Sequence, residues 1–307
     1  MSQKSVVFQR TTTAAALLLA GLLATGAAHA DTLKKIKDSG SVTMGVRESS
    51  GALSYTLGDG KYTGYHVEIC ERVLSDVRKQ LGLSSLSVKY QPVTSQNRIP
   101  LVENGTVDIE CGSTTNNAAR QKQVAFAVTT FVEEVRIAVK ANSGITSINQ
   151  LAGKNVATTT GTTSVQTLRR HERANGVDFK EVFGKDHADS FLLLESGRAD
   201  AFVMDGSLLA GLIAKSKNPA EFRIVGEVLS VEPIAIMMRK DDPAFKKAVD
   251  DSISAMIKSG DVAKLYDKWL LQPIPPANTK VGLAMSDNLK AALASPNDKP
   301  AEDYAKK

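Results

Sequence analysis

Six short polar clusters hold most of the chemistry open to this chain of 307 residues. They are Arg47-Glu48-Ser49-Ser50, Thr94-Ser95-Gln96-Asn97-Arg98, Gly112-Ser113-Thr114-Thr115 with Arg120 beyond it, Thr159-Thr160-Gly161-Thr162-Thr163-Ser164, Asp186-His187 and Asp205-Gly206. Most fall where a strand-like run gives way to a helical pattern. A helix start offers unpaired backbone N–H groups, and hydroxyls beside them add donors. Three arginines in such places suit an anionic ligand held by charge-assisted bonds. One cluster alone is ordinary turn and cap chemistry; the recurrence at successive strand ends points to binding. No G-x-S-x-G, Walker-type G-K-[ST], H-E-x-x-H or paired C-x-x-C occurs. His66, His171 and His187 are too scattered for a zinc motif, so neither cofactor nor metal is expected.

The elements that must position these clusters follow from apolar spacing. The spacing predicts helices over 31–37, 66–81 and 98–104, strands over 41–47, 88–91 and 107–111, and a tight turn at Gly58-Asp59-Gly60. This βαβαβ order implies a mostly parallel sheet flanked by helices. The pattern restarts at 135–140. It runs through strands near 156–160, 179–182, 201–204 and 222–225, with helices over 163–174, 187–195 and 208–215. A helix then starts at Pro243 behind the N-cap Asp242 and stops at Gly260. Past Asn297 a loose tail is expected. Two extended segments, 131–136 and 230–234, join the two α/β units. If the chain passes through both, the second unit is inserted into the first, leaving a cleft at the carboxyl ends of the strands.

Composition sets the class. The chain is 42% hydrophobic, 23% charged and 5% aromatic, which is globular rather than disordered. Lys plus Arg number 38 against 33 acidic residues, a formal +5, and no basic run of the kind that tracks phosphates appears. A nucleic-acid partner is therefore not expected. Lys4 and Arg10 precede a short apolar run at 14–24, and Ala28-His29-Ala30 follows. This is the pattern of a secretory leader over 1–30, cleaved after Ala30. The apolar part is shorter than the ~20 residues of a membrane span, and no cysteine follows to take a lipid. An exported protein is expected, periplasmic in a bacterium. Cys70 and Cys111 are the only cysteines. They would pair if the helix over 66–81 packs on the strand over 107–111, and would otherwise be two buried thiols.

Several motifs, taken together, carry a resemblance. They are Arg47-Glu48-Ser49-Ser50, Thr94 through Pro100, Glu110 through Asn117, Ser164 after Gly161-Thr162-Thr163, Lys185-Asp186-His187, Leu194 through Arg198, Arg239 through Pro243 and Pro273 through Pro276. In these the chain resembles the glutamate/aspartate periplasmic binding proteins of ABC importers, within the bacterial amino-acid solute-binding family. It departs from that group at Ala52-Leu53-Ser54-Tyr55, at Gly64-Tyr65-His66 and along 232–238. The resemblance implies a two-lobed α/β fold of the type II periplasmic-binding-protein class with two crossover strands. Lobe one would span 31–133 and 234–307, tail included, and lobe two 134–233.

The resemblance also implies roles. Ser113, Thr115, Arg120 and Thr163 would hold a ligand α-carboxylate, and Asp205 would accept from its α-ammonium. Arg47, Ser95, Arg98 and His187 would hold a side-chain carboxylate. Three arginines against one aspartate match a ligand with two negative charges and one positive. Beside a carboxylate, His187 would be protonated; as a simple helix cap it would stay neutral. The implied protein is a monomeric receptor for L-glutamate or L-aspartate, without cofactor or metal and not an enzyme, that serves an inner-membrane permease and its ATPase. An enzyme of the cyclohexadienyl-dehydratase type and a periplasmic sensor are the alternatives on the same fold.

Overall fold

Val42, Met44 and Val46 alternate with smaller neighbours along the first apolar run and are all buried, which places a strand in the middle of a core. The computed structural model describes residues 30–304, so all of the expected leader but Ala30 lies outside the described residues. The first lobe opens with α1 (Thr32–Ser39), β1 (Ser41–Val46) and a small hairpin sheet of β2 (Ser49–Ser50), β3 (Ser54–Gly58) and β4 (Lys61–Thr63). It continues with α2 (Tyr65–Gln80), β5 (Ser87–Pro92), α3 (Arg98–Glu103), β6 (Ile109–Glu110) and β7 (Val124–Phe126). The long strand β8 (Phe131–Lys140) crosses into the second lobe. There follow β9 (Asn155–Thr159), α4 (Thr163–Asn175), β10 (Lys180–Gly184), α5 (His187–Glu195), β11 (Ala201–Asp205) and α6 (Gly206–Lys215). The return is β12 (Phe222–Ile234), and β13 (Met237–Arg239), α7 (Pro243–Lys258), α8 (Asp261–Tyr266), α9 (Asp287–Ala294) and α10 (Ala301–Tyr304) complete the chain.

Each lobe holds a five-stranded sheet, ordered β5-β1-β6-β13-β7 and β10-β9-β11-β8-β12. Three strands in each run parallel, β5-β1-β6 and β10-β9-β11. The crossover strands and β13 join antiparallel. The sheets are therefore mixed, more so than the βαβ pattern alone suggests: β8 and β12 pair with each other in the second, and β13 inserts antiparallel between β6 and β7 in the first. Sequence separates a strand over 222–225 from an extended segment over 230–234, whereas the structure makes them one strand. A bulge between Val225 and Ser230 absorbs the register shift, with Gly226 at φ +77.

Cys70 of α2 and Cys111 after β6 form a disulfide, Cα atoms 6.3 Å apart, so the alternative of two separate thiols does not apply. The bond ties α2 to the loop that carries Ser113 and Thr115. Over its described residues, 298–304, the tail is not loose; 305–307 lie outside the described residues. Thr129 N–H donates to Asn297 O at 2.8 Å, Ala301 N–H to Asn116 O at 2.9 Å and Ala118 N–H to the Glu302 carboxylate at 3.0 Å. Asn116 is fully buried and its carbonyl needs a partner, which Ala301 of the tail supplies; exposed Ala118 adds its bond to Glu302.

Candidate functional site

Strand ends from both lobes converge on a small space lined by Ser95, Arg98, Ser113, Thr115, Thr162, Thr163, His187, Met204 and Asp205. Seven of the nine residues singled out in the sequence thus line one space, and the other two, Arg47 and Arg120, flank it. The local folding is simple. Arg98 begins α3, Thr163 begins α4, His187 begins α5 and Asp205 ends β11. Gly161 reaches φ +82, and a Cβ there would lie 2.8 Å from Gln96 N, so only glycine lets the second lobe's loop abut the first lobe here. A wider hollow opens outward between Gln96 and Thr162, and among the described residues Arg120 is the one buried charged residue on its wall.

The three arginines differ sharply in what they touch. Arg47 is fully buried and donates through Nη2 to Asp186 Oδ1 at 2.6 Å and Ser95 Oγ at 3.0 Å. Its Nη1 lies 3.4 Å from Ser113 Oγ. Arg120 donates to the carbonyls of Thr115 at 3.0 Å and Gly161 at 3.2 Å, one in each lobe. Arg98 is only 2% exposed, yet its Nε and Nη1 have no hydrogen-bond partner among the described residues. Burial, with Arg120 and Arg47 nearby, pushes the Arg98 guanidinium well below its ordinary basicity, against the pull of Glu110 and Asp205. A buried cation under that pressure is relieved by an anion.

His187 lines the space with both ring nitrogens engaged. Nε2 is 3.2 Å from Arg47 Nη2, and Nδ1 is 3.0 Å from Thr159 Oγ1. A guanidinium can only donate, so Nε2 must accept, and Nδ1 carries the proton. Burial and the Arg47 charge hold the imidazole down at about 3, with Asp186 opposing. Of the two expected states of His187, this arrangement favours the neutral ring, because Arg47 faces it.

The charge count also changes. Asp186 pairs with Arg47, accepts from Ser49 Oγ at 2.8 Å, and is held low by Arg47 in spite of its burial. Glu232 and Glu133 are both buried on the crossover strands. Burial, then Glu133 and Glu232, push the Asp205 carboxyl well above the usual range, while Arg98 and Arg120 pull it back. Glu133 itself is pushed up to about 7 by burial, against the hydroxyl and N–H of Ser207. Three arginines against one aspartate is therefore too simple a sum. Asp186 stood in a recognised cluster, and Glu232 stood in an expected crossover segment. Nothing in their spacing showed that they face the site.

Residues 42–272 match the bacterial extracellular solute-binding proteins, family 3, over well more than half of the chain. The chain belongs to that family. An L-glutamate/L-aspartate-binding protein of Pseudomonas aeruginosa is 49% identical over 273 residues, covering 88% of this chain and 90% of its own. A glutamate/aspartate import solute-binding protein of Escherichia coli is 45% identical over 293 residues, covering 93% and 97%. Among solved structures, the cysteine-binding protein of Campylobacter jejuni superposes with a TM-score of 0.68 at 26% identity, over 78% of this chain and 93% of its own. These relatives are named for binding and import and not for catalysis, and this family member is likewise a solute-binding protein rather than an enzyme.

Proposed function

We propose that this solute-binding protein is a periplasmic receptor that binds L-glutamate and L-aspartate between its lobes and hands them to an ABC importer. The carrying observation is Arg98, a buried guanidinium with two unpaired nitrogens on the wall of a small polar space. A side-chain carboxylate reaching Arg98 would supply the missing acceptors. Arg47, Ser95 and His187 brace that end. Arg120, Ser113 and Thr115 of the first lobe, with Thr163 at the first turn of α4, take the α-carboxylate. Asp205 takes the α-ammonium. The relatives named above for glutamate and aspartate support the same ligand class. The protein acts as a monomer toward an inner-membrane permease and its ATPase. Its leader is cleaved after Ala30, which leaves Asp31, the cap whose side chain accepts from Lys34 N at 2.8 Å, as the first residue.

Thermal melts of unfolded-and-refolded protein against the twenty amino acids test this reading. A ligand at a hundred times Kd stabilises by about 2.7 kcal/mol. Glutamate and aspartate are expected to raise Tm, whereas a rise with neutral or basic amino acids and none with these two would refute the proposal.

A further inference from the structure

Glu232 lies on β12 beneath the site, 4% exposed, and one of its oxygens serves both lobes. Oε2 accepts from Thr115 Oγ1 of the first lobe at 2.7 Å and from Thr163 Oγ1 of the second at 2.6 Å. Oε1 accepts from Ser230 Oγ at 2.8 Å, so the carboxylate is fixed in place. The two threonine oxygens are 3.4 Å apart, and both residues line the small space with Asp205.

A hydroxyl has one proton to give. Once Thr115 and Thr163 have donated to Glu232, only lone pairs remain to face a ligand. Those lone pairs repel a carboxylate and attract an ammonium. An α-ammonium carries three N–H donors, and Asp205, Thr115 and Thr163 offer three acceptors. We infer that Glu232 is a positioning residue that turns the Thr115 and Thr163 hydroxyls into acceptors for the ligand's α-ammonium. The α-carboxylate is then left to Arg120, Ser113 and the first backbone N–H groups of α4. This rests on the receptor reading and revises it at one point: the Thr115 and Thr163 hydroxyls move from the α-carboxylate to the α-ammonium. Because Thr163 belongs to the second lobe, the acceptor set is complete only when the lobes are together.

Glutarate, which is glutamate without its ammonium, separates this role from a structural one. Calorimetry would compare glutamate and glutarate on the parent, Glu232→Leu and Glu232→Gln, with weak glutarate binding read by competition against glutamate. In Glu232→Leu the hydroxyls are freed to donate, and the glutamate-to-glutarate affinity ratio is expected to fall roughly tenfold or more. Glu232→Gln keeps an acceptor oxygen and should retain most of the ratio. Should Glu232→Leu fail to fold by circular dichroism, Thr163→Val carries the same expectation. Equal losses for both ligands would overturn the inference, as would tighter binding of both, which would mean that Glu232 competes with the α-carboxylate. A parent that binds no glutamate at all would instead defeat the receptor reading beneath it.

Discussion

Arg98 and Arg120 are both buried cations at the site, but they are committed differently. Arg120 gives two of its five donors to carbonyls, one in each lobe, while Arg98 keeps two nitrogens unpaired among the described residues. Arg98→Ala should therefore narrow the glutamate-to-glutamine affinity ratio far more than Arg120→Ala, whose loss should fall on both ligands alike; calorimetry on the two variants checks this. The importance of Arg98 was legible from its place at a helix start beside Ser95. The neutralisation of Arg47 was not, since Asp186 lies 139 residues away and only the meeting of the lobes brings it near. His66 offers a pH test. Its ring is buried, with Nδ1 2.5 Å from Gly112 O and Nε2 3.0 Å from Thr130 Oγ1. Burial lowers it to about 4, against about 6.5 unfolded. The native state thus resists protonation, so this contribution is complete above about pH 6.5 and is lost as pH falls toward 4. Between pH 7 and 5 the loss is about 2 kcal/mol. Chemical denaturation of the parent and of His66→Gln at both pH values should show the acid loss shrinking by about that amount in the variant. Glu133 acts with the opposite sign, costing stability as pH rises toward 7, and cancels in the comparison.

Among the elements, α6 and the β2–β3 hairpin meet across the lobes with almost no side chain between them. A Cβ on Gly211 would lie 2.9 Å from Gly51 Cα, and Gly51 itself has φ +58. Beside this contact, Lys215 Nζ sits 3.6 Å from the centroid of the Tyr55 ring. Gly211→Ala favours the helix by about 1 kcal/mol while obstructing the approach of the hairpin. Ligand-free Tm is then expected to hold or rise, while glutamate affinity falls roughly three- to tenfold because the closed state is penalised. A variant that melts lower and binds as before would contradict the assignment of this contact to closure. Much at this scale was readable. The Asp242-Pro243 start of α7 shows in the sequence, and the Asp242 side chain accepts from Phe245 N at 3.1 Å. So do the hairpin turn at Gly58-Asp59-Gly60 and the start of α5 at His187. The union of 222–225 with 230–234 was hidden, because apolar spacing reports which face a residue buries and not which strand it pairs with. The tail was hidden too, since its polar residues read as solvated until the carbonyl of buried Asn116 is seen to need a partner there.

Across the whole molecule, β8 and β12 pair along their length, and the site lies above them where the lobes meet. Arg47 with Asp186, Ser49 Oγ receiving the Ala188 N–H at 3.1 Å, and Arg120 with Gly161 O all join one lobe to the other. Bending at the crossover strands would part these contacts together, as in hinge closure. Saturating glutamate should therefore reduce the radius of gyration measured by small-angle scattering, and an unchanged radius would count against closure. On the proposed function, this site recognises an acidic side chain by charge and not by shape. Glutamine matches glutamate in shape but would leave Arg98 buried without a counter-charge. Calorimetry of the refolded, ligand-free protein at pH 7 against glutamate and glutamine tests that claim most directly. Glutamate should bind roughly a hundredfold or more tighter than glutamine; glutamine bound as tightly as glutamate would show that charge does not decide recognition.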